Sequence, residues 1–239
     1  MGTDNNHFWF PGRWIGGVSL LLAPPVLCVA IISRLPFPFF FPEQLKAYQS
    51  HPQLMAWSYQ LFLMGNLLLW PGILTLVRQI GLIKSRWATW GGAMVIAGLF
   101  ARTFHAGVDH LAFQLVRLHD WQFASKIIAD AYGAFHVVSL FNLFIMLGWI
   151  ILAIGAYNAQ VFGLVQSIAL GMMSLLMIGV LKGSAWTSIV AVVGLCIAMV
   201  PLGIKVITTD RAPGVKTIAT AAGSALALVA LLYWFGQQG

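Results

Sequence analysis

Mostly apolar, uncharged runs of about 20 residues recur along the chain. That is the length an α-helix rising 1.5 Å per residue needs to cross a hydrocarbon core about 30 Å thick. Trp14 to Ser33 carries no charge, and neither does Gln53 to Val77, which ends at Arg78. A third run starts at Trp87 and is clean to Ala101, then meets Arg102, His105, Asp109 and His110 before ending near Val116. From Ala131 to Leu181 no Asp, Glu, Lys or Arg occurs, a stretch too long for one helix, and Gly155-Ala-Tyr-Asn-Ala-Gln160 is its natural break. The runs Ser184–Ile204 and Lys216–Phe235 complete the pattern. It predicts an all-α, polytopic transmembrane helix bundle forming one integral-membrane domain over 1–239. The expected spans are about 14–33, 53–77, 87–116, 127–154, 161–181, 184–206 and 216–235. Seven spans is the reading, with six as the alternative.

Composition agrees with the pattern. Hydrophobic residues make up 60% of the chain and charged residues 8%, against roughly 45–50% and 25% in soluble domains. So little charge cannot clothe a water-facing surface, and two cysteines are too few for a disulfide scaffold. The formal charge of +7 implies contact with anionic lipid head groups and no nucleic-acid partner. Lys and Arg in short loops set orientation. Arg13, Arg78, Lys84, Arg86, Lys205, Arg211 and Lys216 fall on the side of the N-terminus; Arg34, Lys46, Arg117, Lys126 and Lys182 fall opposite, with Glu43, Asp120 and Asp130. This bias predicts a plasma-membrane protein with a cytoplasmic N-terminus and a C-terminus outside. The first span reads as an anchor: it is too long for a signal-peptide core, contains Pro24-Pro25, and no small-x-small site follows it.

Helices in lipid have no hydrophobic drive to associate, so close packing needs small residues at four-residue spacing. Ala93, Ala97 and Ala101 supply such a face in the third run, Gly163, Ser167 and Gly171 in the fifth, and Ala219, Gly223 and Ala227 in the seventh. Contact between helices of one chain is the expected use of all three, and oligomeric state is open. Pro25, Pro71 and Pro201 are expected to kink their helices.

Ionisable residues within a span are expensive, so where they fall is the best guide to function. On a helix, Arg102, His105 and Asp109 share one stripe, with Asp109 only about 20° from Arg102. A span starting near Ala88 puts them about 21, 25 and 31 Å along it, in the outer half of the membrane. Tyr132, His136 and Ser139 share a face of the next helix, with His136 at a matching level, and Tyr59, Gln60 and Asn66 approach from the second span. The expected result is a pocket open to the outer face. It would bind a small polar or amphiphilic ligand through Arg102, His105, Asp109, His136, Tyr132 and Gln60, in transport, resistance or sensing.

Two other readings use the same residues. In one, His105, Asp109 and His136 ligate Zn²⁺ or Fe²⁺ in an intramembrane enzyme acting on a lipid or peptide, and Arg102 holds an oxyanion. In the other, the cluster is a structural network that fixes helix register. Cys28 and Cys196 are expected to be buried thiols, and Lys182 to snorkel at a span end.

Overall fold

The computed structural model describes residues 9–132, 137–176, 178–209 and 214–236, and among them there are helices and no strand. The helices are α1 (Gly12–Arg34), α2 (Glu43–Ser50), α3 (Pro52–Gly81), α4 (Ser85–Leu118), α5 (Trp121–Tyr132), α6 (Val138–Asn158), α7 (Leu164–Gly171), α8 (Trp186–Thr208) and α9 (Val215–Gly236). A 3-10 turn, Met172–Leu175, extends α7. The chain forms two compact units, residues 1–206 and 207–239; α9 is the helix of the second.

Four helices are long and apolar enough to cross a membrane: α1, α3, α6 and α8. α4 is longer, at 34 residues, or about 51 Å; it carries the charged stripe. The outward faces support a membrane location. Leu140, Leu143, Leu147, Ile150 and Ile154 are exposed at alternating three- and four-residue spacing on α6, and Val190, Val193, Ile197 and Ile204 follow at spacings of three, four and seven on α8. A continuous apolar exterior of this kind suits lipid and not water.

In the first unit α1 packs on α3, α3 on α4, and α4 on α6. The short helix α2 touches α3, α4 and α5, and so closes the end of the bundle where α1 stops and α3 begins. Leu20, Leu27, Leu69, Ile73, Leu99, Ile145, Trp149 and Leu195 belong to one buried core. Glycine lets the backbones meet. A Cβ on Gly91 of α4 would stand 2.9 Å from the Leu152 nitrogen of α6, and one on Gly148 of α6 would stand 2.8 Å from the Val95 nitrogen of α4. This corrects the sequence expectation for α4. Its close face is Gly91 and Gly98, while of the three expected alanines Ala101 is buried, Ala97 only partly covered and Ala93 exposed, because alanine's methyl already holds backbones apart where glycine does not. Near Pro71 the Ser19 hydroxyl of α1 donates to the Leu68 carbonyl and accepts from the Gly72 nitrogen at 3.0 Å. It thereby services backbone groups of α3 next to its proline.

Two predicted spans differ from the structure. The helix expected over 127–154 is two, α5 and α6; residues 133–136, which include His136, lie outside the described residues. The helix expected over 161–181 is also shorter: α7 and its 3-10 turn stop at Leu175, and the described residues from Leu176 to Ala185 are not helical. Gly179, Gly183 and Ser184 weaken helix locally, and partners on other helices take up the backbone groups that an intact helix would have paired.

Candidate functional site

Those partners are the charged stripe of α4 and two groups on α1 and α3. At the end of the 3-10 turn, Arg102 Nη2 donates to the Leu176 carbonyl at 3.0 Å, a cation capping the carbonyl end of a short helix. The Leu181 nitrogen donates to Asp109 Oδ1 at 2.6 Å. Arg34 Nη1, at the last residue of α1, donates to the Lys182 carbonyl at 3.1 Å, and the Tyr59 hydroxyl reaches the same carbonyl at 3.4 Å. The Gly183 nitrogen donates to the Phe39 carbonyl at 2.9 Å. Non-helical backbone at membrane depth persists only where protein or a water-filled cavity covers it, and these contacts supply the cover.

The segment is held in unusual conformations. Gly179 has φ +145° and Leu181 φ +51°; glycine adopts positive φ freely, whereas a leucine there is strained. Gly183 is required for another reason, since a Cβ would lie 2.8 Å from the Phe39 Cα.

Aromatic rings line the space between the guanidinium groups. Arg34 Cζ lies 4.4 Å from the Tyr59 ring centroid and 4.9 Å from that of Phe62, and Arg102 Cζ lies 5.8 Å from the same Phe62 centroid. Cations over ring faces at these distances are attracted by the ring quadrupole. Tyr59 also donates to Gln44 Oε1 of α2 at 2.9 Å, and Phe113 meets Tyr59 edge-on. Arg34, Arg102 and Asp109 are 3%, 5% and 8% exposed, so all three are out of water.

Two hollows meet here. A small cavity of about 30 Å³ is lined by Arg34, Arg102, His105, Asp109, Lys182 and Ser188. A groove of about 430 Å³ runs between α3 and α4 past Tyr59, Gln60, Thr103, Gly107, His110 and Gln114. Phe62, Ala106 and Asp109 line both. The first is large enough for a few water-sized groups, the second for a small molecule.

The expected residues are therefore brought together in part. Arg102, His105 and Asp109 line one cavity, and Tyr132 places its ring 6.1 Å from that of His105. Gln60 lies in the neighbouring groove. Asn66, buried, donates to the Phe62 carbonyl of its own helix. His136 lies outside the described residues. Among the described residues no three His, Cys, Asp or Glu side chains are placed to hold a metal ion. Sequence reasoning missed Arg34, Gln44 and the backbone of Leu176–Ala185. It also placed Lys182 in a span end, where the structure lines the cavity with it. The glycines at 179 and 183 and the abrupt Lys182 were the available signals.

No family model matches the chain, and no curated protein or solved structure matches it.

Proposed function

We propose that the chain is a multi-pass plasma-membrane protein, with its N-terminus in the cytoplasm and its C-terminus outside, that binds a small polar or amphiphilic ligand for transport, resistance or sensing. In this reading there are seven crossings, the fifth made by α7 followed by the extended segment. One observation carries the binding role: helix is abandoned at Leu176, which lines a cavity of buried ionisable groups whose wall continues into a 430 Å³ groove. Interrupted helices in membrane bundles mark places where ligands and ions are held. Arg102 and Asp109 also fix the unwound segment, so their structural task and the binding task share atoms.

Gly107 provides the test. A Cβ there meets no atom within 4 Å, and the residue lines the groove. Purified protein in neutral detergent should bind an NBD-labelled monoacylglycerol, a neutral amphiphile, saturably by fluorescence. Gly107→Trp, which fills the groove, should weaken that binding by about tenfold or more, the equivalent of about 1.4 kcal/mol. Absence of saturable binding, or equal binding by Gly107→Trp, removes the proposal.

A further inference from the structure

We propose that the cavity between Arg34, Arg102 and Lys182 is an oxyanion site, which seats a phosphate or phosphate-like group. The inference rests on the binding role proposed above and adds the chemistry of the group bound.

Three cationic side chains, Arg34, Arg102 and Lys182, line the cavity, with Asp109 as its carboxylate. Asp109 is engaged with the Leu181 nitrogen, and among the described residues neither guanidinium is in an ion pair. Both arginines are at least nine-tenths buried. Buried charge is costly unless an opposite charge or a full set of hydrogen bonds compensates it. Each guanidinium gives a hydrogen bond to one backbone carbonyl, and Arg34 Nε is buried with no partner. An oxyanion supplies both the charge and the acceptors.

Arg34 and Arg102 share the ring of Phe62, so the two forks approach one space from α1 and α4. A guanidinium fork matches the planar pairs of oxygens on phosphate or carboxylate, and an ammonium group adds a compact charge. Lys182 brings that charge from the unwound segment to the cavity's edge, its Nζ 5.8 Å from the Phe39 ring centroid and 5.7 Å from that of exposed Phe40. At about 30 Å³ the cavity has room for a phosphate-sized group and excludes a whole amphiphile. The wall shared at Phe62, Ala106 and Asp109 leads from it into the groove, where an attached chain could lie. Free phosphate and the head group of an anionic phospholipid present the same chemistry.

The experiment is calorimetric titration of the purified full chain in neutral detergent with inorganic phosphate and, separately, with dihexanoyl phosphatidylglycerol. Lys182→Gln is the central variant, because the contacts that hold the segment use the Lys182 carbonyl and survive loss of the amine. Saturable binding weakened about tenfold or more by Lys182→Gln, and likewise by Arg34→Gln, is the expected result. Binding of both probes identifies a site open to the free anion, whereas binding of phosphatidylglycerol alone identifies a lipid head-group site. Should Arg34→Gln fail to fold, Lys182→Gln decides. The inference is overturned if neither probe binds saturably, or if Lys182→Gln binds as the native protein does. If both anions fail while the monoacylglycerol still occupies the groove, only the oxyanion assignment falls.

Discussion

A single methyl group separates two kinds of glycine on α4. Gly91 faces the Leu152 backbone, which cannot retreat without moving α6, whereas Gly107 faces open space. Gly91→Ala should therefore destabilise the protein by about 1–3 kcal/mol, read as a lower midpoint of thermal unfolding in detergent. Gly107→Ala should leave it unchanged or raise it slightly, since alanine is the better helix former. Asp109 offers a second contrast. Asp109→Asn keeps an oxygen for the Leu181 nitrogen and should unfold near the native midpoint. Asp109→Leu orphans a buried donor and should cost about 1–3 kcal/mol. Equal midpoints for the two Asp109 variants would show that the Leu181 contact contributes nothing. The stripe Arg102, His105, Asp109 was legible in the sequence because helical periodicity alone puts those positions on one face. Arg34 was not. At the end of an apolar run Arg34 reads as a loop cation that sets orientation, whereas the Tyr59 and Phe62 rings and the Lys182 carbonyl bury it.

At the scale of elements, long apolar helices announce themselves, and α1, α3 and α8 begin and end within a few residues of the runs that predicted them, whereas α6 starts eleven residues later than its run. α7 does not, since hydropathy measures only whether a segment suits lipid. It does not register whether backbone hydrogen bonds are made within the segment or given to neighbours, and Leu176, Ile178, Val180 and Leu181 are as apolar as any helix. Contact between α1 and α8 has a built-in reporter, because Cys28 Sγ and Cys196 Sγ are 3.7 Å apart. Treatment with copper phenanthroline should convert them to an intramolecular disulfide. The product is detectable as loss of maleimide labelling that a reductant restores, and Cys28→Ser should abolish it. Persistent labelling of both thiols after oxidation would contradict this packing.

For the molecule as a whole, the proposed orientation makes opposite claims for the two ends of α3. Ser50, which ends α2, precedes it and Ser85 follows it, and the 30 residues of α3 span about 45 Å. In a background lacking both native cysteines, Ser50→Cys should react with a membrane-impermeant maleimide in intact cells. Ser85→Cys should react only after the cells are opened. The reverse pattern would invert the orientation, and labelling of both would deny that α3 crosses. Fold class was readable from hydropathy because uncharged runs of about 20 residues fit a bilayer as self-satisfied helices and are too long for the strands of a closed barrel. The site was readable only as a cluster of expensive side chains; the object they surround, a length of chain bound through its own peptide groups, leaves almost no trace in residue type.

That arrangement also imposes an order on biogenesis. Leu176, Leu181 and Lys182 are served by groups on α1, α3 and α4, all of which leave the ribosome earlier. Released into lipid by itself, this stretch would expose naked amides and carbonyls, so it cannot partition from the translocon as an autonomous unit. Its peptide groups find their partners only once the preceding helices have assembled into a cradle around them.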